Sequence, residues 1–259
     1  MPIISIKNLQ KSFINNNRSV EVLGDVNLEI ERGELLAIFG PNGCGKTTLL
    51  NIIANLIKPD NGQIIFQGQS IEKAKVSYIF QNYRETLFPW LKVIDNITLP
   101  LKLEGVEKQV RDNLAKELVE KFHLQIDLNE YPYNLSGGQQ QLIALLRGLI
   151  VKPDLLLLDE PFSALDYQTT LFLYKKLLEI WENIKTTVIF VSHNIDEAIF
   201  LSNRLIMFST KPTKVIIDRS VDLPYPRELS LFTADKFTNL KGELLKDFSQ
   251  QVFSDNSKE

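Results

Sequence analysis

The sequence predicts an α/β fold: a parallel sheet with helices on its faces and a helical segment inserted between its strands. Three observations carry that expectation. Apolar runs without alternation, LLAIF at 35–39, LLLL at 155–158 and TVIFV at 187–191, suit strands buried on both faces. Stretches of helical periodicity lie between them. The first run enters a glycine-rich turn and the second ends in two carboxylates.

The elements follow in order. IISIKNL at 3–9 and VNLEIERGELLAIFG at 26–40 alternate or cluster β-branched and aliphatic residues between polar turns, and NNNRS at 15–19 reads as a loop. TTLLNIIANLI at 47–57 places Leu49, Ile52, Ile53, Leu56 and Ile57 at helical spacing, and KPDNG stops it. GQIIFQGQSI at 62–71 and KVSYIFQ at 75–81 read as two more strands. The character then changes. Residues 107–122 put Val110, Leu114, Leu118 and Phe122 on one helical face with charges on the other, so 82–150 reads as an inserted helical region. The sheet resumes at 154–160 and 186–193, with a helical stripe of Leu171, Tyr174, Leu178 and Trp181 between, most simply core packing. The tail from 221 carries two prolines and mixed polarity, and residues 255–259 read as frayed.

Composition narrows the function classes. The 259 residues are 44% hydrophobic and 24% charged, the balance of a soluble globular protein. A net charge of −3 gives no general basic excess, so a nucleic-acid partner is not expected. A single cysteine, Cys44, allows no internal disulfide and fits a reducing compartment. The N-terminus lacks a secretory pattern, and the apolar runs are too short to cross a bilayer.

The stretch Gly40, Pro41, Asn42, Gly43, Cys44, Gly45, Lys46, Thr47 matches G-x-x-x-x-G-K-[ST] between a strand and a helix. Its glycines let successive N–H groups turn toward phosphate oxygens. Lys46 supplies a charge for the β- and γ-phosphates, and Thr47 a hydroxyl for Mg²⁺. Asp159 and Glu160 follow a buried strand, at the edge where α/β sheets bind ligands. Asp159 suits a metal ion, and Glu160 suits polarising a water for attack on the γ-phosphate. A bare Asp-Glu pair reads rather as a solvated strand end; beside the glycine loop the chemical reading is preferred.

The order of these segments, with LSGGQ at 135–139, SALD at 163–166 and His193 in SHNIDEA, resembles an ATP-binding cassette (ABC) ATPase over nearly the whole chain. The resemblance implies a P-loop NTPase core with a mostly parallel sheet, an N-terminal antiparallel β subdomain and an inserted helical subdomain. The division would be 1–81 with 151–230 for the core and β subdomain, 82–150 for the helical subdomain, and 231–259 for a tail. It implies that Phe13 stacks on adenine, the alternative being a core phenylalanine. Gln81 is implied to reach Mg²⁺ or the attacking water, His193 to contact the γ-phosphate, and Thr48 to extend the loop. Ser136, Gly137, Gly138 and Gln139 would close over ATP held by a second ATPase subunit, two chains lying head to tail, with Asp166 helping to bridge them. The other histidine, His123, has no motif around it and reads as structural.

The resemblance is nearest to importers of nitrate, sulfonates, taurine or related small solutes, through FPW at 88–90 and VDLP…PR at 221–227. It implies separate membrane permease subunits, docking near 82–92 at Arg84, Phe88, Pro89 and Trp90. It also implies a solute-binding protein and a peripheral place on the cytoplasmic face of the membrane. A packing corner is the other reading of 82–92. A soluble ABC ATPase that remodels a cytosolic complex, as in iron–sulfur assembly, and an export ATPase are the alternative functions. Where the family carries basic residues after the signature glycines, this chain has Gln140, Gln141 and Leu142, with Leu142 in register with Leu145, Leu146 and Leu149. Cys44, inside the loop, is expected to let a bulky thiol reagent block ATPase activity, with ATP protecting.

Overall fold

A computed structural model describes residues 2–15, 18–163 and 165–255. The chain forms two compact units, one made of residues up to 75 and from 187 onward, the other of residues 76–186.

The first unit holds two β-layers. Strands β1 (Ile4–Asn15), β2 (Arg18–Ile30), β4 (Asn61–Phe66) and β5 (Gln69–Ser70) form an antiparallel sheet in the order β2-β1-β4-β5. Of the residues expected as a loop, Asn15 lies in β1 and Arg18 and Ser19 lie in β2, while 16–17 lie outside the described residues. Strand β3 (Leu35–Phe39) pairs in parallel with β8 (Thr187–Ser192) on one side and β9 (Arg204–Phe208) on the other. Strand β10 (Val215–Ser220) adds antiparallel to β9. The residues of β3 and β8 are buried throughout, which explains their unbroken apolar runs.

Helix α1 (Lys46–Ile53) is shorter than its periodicity suggests. Asn55 takes a left-handed backbone (φ 57°), and the amides of Leu56 and Ile57 both donate to the Asn51 carbonyl. Leu56 is turned out to solvent as a result. Helix α7 (Ile195–Leu201) follows β8. Residues from 235 form a long helix, α8 (Asp235–Asp255), where the sequence read only a tail. Its polar composition hid it; Phe237 and Leu244, seven residues apart, are its buried anchors. Of the residues expected to fray, 256–259 lie outside the described residues.

The segment 221–227 has a definite task in this unit. Arg227 is buried, and its guanidinium donates to the carbonyls of Ile199, Phe200 and Ser202 at 2.7–2.9 Å and to those of Val221 and Leu223 at 3.3–3.4 Å. It therefore seals the carbonyl end of α7, where a cation is favoured.

The second unit contains the parallel pair β6 (Val76–Ile79) and β7 (Leu155–Asp159) with the helices that surround it. These are the short α2 (Tyr83–Thr86), α3 (Val93–Leu103), α4 (Lys108–Lys121), α5 (Gly137–Leu149) and α6 (Tyr167–Ile184). The expected helical segment 82–150 thus belongs with β6, β7 and α6. Of the predicted stripe, Phe122 just beyond the end of α4 is buried, Leu114 and Leu118 are half-buried and Val110 is exposed; the residues the helix itself buries are Arg111, Ala115 and Val119. Helix α4 packs on α3 and Ala115 is fully buried, while Arg111 buries its stem and its head donates to the Val106 carbonyl at 3.3 Å. The α6 stripe is buried at Tyr174, Leu178 and Trp181, while Leu171 is half-buried.

Candidate active site

In the first unit the glycine loop joins β3 to α1. Gly43 and Gly45 adopt φ of 72° and 121°, conformations that favour glycine. A Cβ on Gly45 would lie 2.9 Å from Val22 Cγ1 and 3.0 Å from Leu23 Cδ2, so the space also demands glycine. The loop is tied by Cys44 N–H donating to the Pro41 carbonyl and by the Thr213 hydroxyl donating to the Cys44 carbonyl. Lys46 is buried, with its ammonium turned into the loop, donating to the carbonyls of Gly40 (2.9 Å) and Pro41 (3.0 Å). Asn42 and Thr47 are exposed, and Thr48 is half-buried. Gly45, as N-cap of α1, offers no side-chain cap. A helix start without a side-chain cap, beside an inward-turned ammonium, is an arrangement suited to anionic oxygens.

Cys44 departs from expectation in one respect. Its position in the loop is as read, but its side chain is buried, and its Sγ would be 3.1 Å from a Cβ on Gly40. Burial also pushes the thiol pKa up. The accessible thiol expected from the sequence is therefore absent, because the loop turns this side chain inward.

The same unit carries His193 and Phe13. Phe39 pairs with Ser192, so Gly40 and His193 leave β3 and β8 at the same end. His193 is exposed; next to it, the Asn194 side chain caps α7 by accepting from the Asp196 and Glu197 amides at 2.9 and 3.4 Å. Phe13 lies on β1 opposite Val20, 39% exposed, with Lys11 Nζ 5.4 Å from its ring centroid. It is not a core phenylalanine, and a flat exposed ring is available for stacking.

In the second unit the two carboxylates stand at the end of β7, beside the end of its partner strand β6. Tyr78 pairs with Leu157 and Ile79 with Leu158, so Gln81 and Glu160 emerge together. Gln81 Nε2 donates to Glu160 Oε2 at 3.1 Å. Glu160 itself has φ of 44°, turning the chain sharply away from the strand. Asp159 is buried and accepts from the Tyr78 hydroxyl at 3.1 Å through Oδ2. Burial, together with the adjacent Asp159 carboxylate, pushes the Tyr78 pKa above the ordinary phenol range, keeping the donor proton in place. Tyr78 was read only as a strand residue. Its polar tip inside an apolar strand was the available signal.

The signature segment begins α5. Ser136 is the N-cap and forms a full capping box: its hydroxyl accepts from Gln139 N–H (3.3 Å), and Gln139 Oε1 accepts from Ser136 N–H (3.0 Å). Gly137 is half-buried and Gly138 buried; a Cβ on Gly138 would come within 2.5 Å of Thr169 Cγ2 on α6. Asp166 caps α6, and the backbone N–H and hydroxyl of Thr169 hold its carboxyl below the usual range. Ala164, within SALD, lies outside the described residues. Leu142 packs with Leu145, Leu146 and Leu149, all buried. Other polar groups tie the helix down. Gln140 donates to the Pro132 and Leu135 carbonyls (2.8 and 3.1 Å), and Arg147 to the Thr86 carbonyl and hydroxyl (2.6 and 2.7 Å).

That last contact fixes α2 and leads into 82–92. There Trp90 is 71% exposed, meeting Phe88 edge to face at 5.4 Å, while Leu87 is buried and Asn96 binds the Phe88 backbone at both N–H and carbonyl. The segment is both a packing corner and a rigid display of one aromatic ring. His123, exposed in a left-handed turn at the end of α4, joins none of these groups.

Comparison with known proteins identifies the family. The ABC transporter family matches residues 23–163. The aliphatic sulfonates import ATP-binding protein SsuB of Bacillus cereus is 44% identical over 249 residues, covering 95% of this chain and 96% of that protein. The bicarbonate transport ATP-binding protein CmpC of Synechococcus elongatus is 37% identical over 96% of this chain, which spans 38% of that larger protein. The dimeric bacterial ABC transporter cassette MJ0796 superposes with a TM-score of 0.73 at 31% identity, covering 85% of this chain and 100% of that one. The same cassette has been solved as a post-hydrolysis dimer bound to ADP and Pi, again with a TM-score of 0.73.

Proposed function

The chain belongs to the ABC transporter family and is an ATPase with the P-loop NTPase fold, and on that premise we propose that it powers uptake of a small solute such as an aliphatic sulfonate, taurine, nitrate or a related compound. The observation that carries the importer reading is the near full-length similarity to SsuB, at 44% identity. Among the described residues no helix is long and apolar enough to cross a membrane. The reading therefore assigns the membrane path to separate permease subunits, with Trp90 and its neighbours in 82–92 as their docking point. A solute-binding protein would choose the solute, and the ATPase would sit peripherally on the cytoplasmic face.

In this reading the backbone of residues 40–48 and Lys46 receive the triphosphate of ATP, and Phe13 stacks on its adenine. Lys46 would exchange its bonds to the Gly40 and Pro41 carbonyls for phosphate oxygens. Thr47 and Asp159, with Gln81, are hard oxygen donors that fit Mg²⁺, which supplies charge neutralisation on the phosphates when bound. Glu160, oriented by Gln81, takes the proton of the attacking water, and His193 donates to the γ-phosphate. Ser136, Gly137, Gly138 and Gln139 close over the nucleotide of a second subunit, so ATP draws two chains together and hydrolysis releases them.

Two measurements test this. Glu160→Gln is expected to lower hydrolysis by about 100-fold or more while ATP binding persists and the dimer stays closed; undiminished hydrolysis removes Glu160 as the base. Co-purification from membranes is expected to bring down a permease whose sulfonate transport depends on this chain. Capture only with soluble scaffold proteins overturns the importer reading.

A further inference from the structure

We propose that Tyr78 is a positioning residue for the metal-binding carboxylate: its hydroxyl fixes Asp159 in the orientation that receives a divalent cation. The proposal rests on Asp159 being the metal-holding carboxylate.

The geometry is local to one strand pair. Tyr78 pairs with Leu157, so it starts two residues before Asp159 along the neighbouring strand. The length of the phenol spans that offset, and its hydroxyl reaches Asp159 Oδ2 at 3.1 Å. The ring is held in turn. Phe80 stacks against it at 4.2 Å between centroids and 25° between planes. Three residues after Tyr78, Gln81 donates to Glu160. Strand β6 and the residues that follow it thus supply a donor to each of two successive carboxylates on and beyond β7.

A carboxylate needs such a donor because its last torsion is soft; aspartate χ2 is broad rather than confined to sharp wells. A donor on one oxygen narrows that freedom and leaves the acceptor capacity of the group for a cation. Outer hydrogen-bond partners of this kind orient metal ligands, and their loss typically weakens metal binding by tenfold or more. Phenylalanine at 78 would fill the same space without a donor. The hydroxyl is therefore the part of Tyr78 that packing does not account for.

The test uses the full-length protein with ATP and Mn²⁺ as the probe. Electron paramagnetic resonance measures Mn²⁺ affinity in the ternary complex for wild type, Tyr78→Phe, Tyr78→Met and Asp159→Asn. Tyr78→Phe is expected to weaken Mn²⁺ about tenfold. Its affinity for ATP in EDTA is expected to match wild type. Tyr78→Met, which also lacks the hydroxyl, is expected to show the same shift in Mn²⁺ affinity. Wild-type Mn²⁺ affinity in Tyr78→Phe, alongside loss in Asp159→Asn, overturns the role of Tyr78 and leaves Asp159 as the ligand. A shift in Tyr78→Met alone assigns the effect to the ring and also overturns the proposal. Undiminished Mn²⁺ affinity in Asp159→Asn removes the metal reading itself.

Discussion

At the start of α1, Gly45 sits at φ of 121° with no side-chain cap, and the nearest cation, Lys46, is bound to carbonyls of its own loop. At the start of α5, Ser136 and Gln139 exchange two hydrogen bonds and close the helix end by themselves. Both ends carry glycines, and both are assigned to phosphate. The difference lies in what each does without a ligand. The α1 loop keeps its shape through backbone conformations that favour glycine, and through a lysine available for exchange. The α5 end keeps its shape through side chains. Its cap also need not break on closure. Ser136 accepts from Gln139, so its own hydroxyl hydrogen is a separate donor, available to a phosphate oxygen.

The contrast can be broken most severely at Gly45. Gly45→Ala combines an unfavourable φ with the approach of Val22 and Leu23, and is expected to destabilise the ligand-free chain by about 3 kcal/mol in urea unfolding. Loss of ATP binding should accompany it. A variant as stable as wild type would show that the loop tolerates a side chain, and that its glycine serves no structural demand. At the other helix end the expected cost is smaller. Ser136→Ala removes one half of a capping box, for about 1 kcal/mol in the same assay. Monomeric ATP affinity should remain, while ATP-driven dimerisation, read by light scattering in a Glu160→Gln background, should fall. Collapse of monomer binding instead would place Ser136 in its own chain's site. The smallest intervention changes no residue. The Cys44 thiol, raised by burial, should react with Ellman's reagent at neutral pH about 100-fold more slowly than in the urea-unfolded chain. Rapid labelling of the native protein would mean that the glycine loop opens on its own.

The parts of this molecule that could be read from sequence are those where chemistry dictates residue type. Lys46 and Ser136 stood out because a glycine loop and a helix cap each need particular atoms at particular spacings, and Asp159 and Glu160 gained weight only beside that loop. The fold class followed from strands buried on both faces, which leave no polar residues in LLAIF or LLLL. What escaped depended on tertiary partners. The buried face of α4 turned on a small alanine, the stem of an arginine and Val119, each one position on from the stripe that the large apolar residues suggested. Helix α8 is mostly polar, and only its packing against residues distant in sequence, as in Phe248 meeting Phe39 at 5.4 Å, makes it visible. Tyr78 could be seen to lie in a strand; the neighbour its hydroxyl would find could not.

Arg227 has a consequence for a residue more than thirty positions earlier in the chain. Helix α7 begins two residues after His193, and its far end is clamped by one buried guanidinium, which gives three hydrogen bonds to the carbonyls of Ile199, Phe200 and Ser202 and two more to Val221 and Leu223. Strand β8 clamps the other side, ending at Ser192. His193 and Asn194 are therefore a two-residue hinge pin between a fixed strand and a fixed rod. The backbone that carries the imidazole is thus held from both sides, and the ring's motion is left chiefly to its own side-chain torsions.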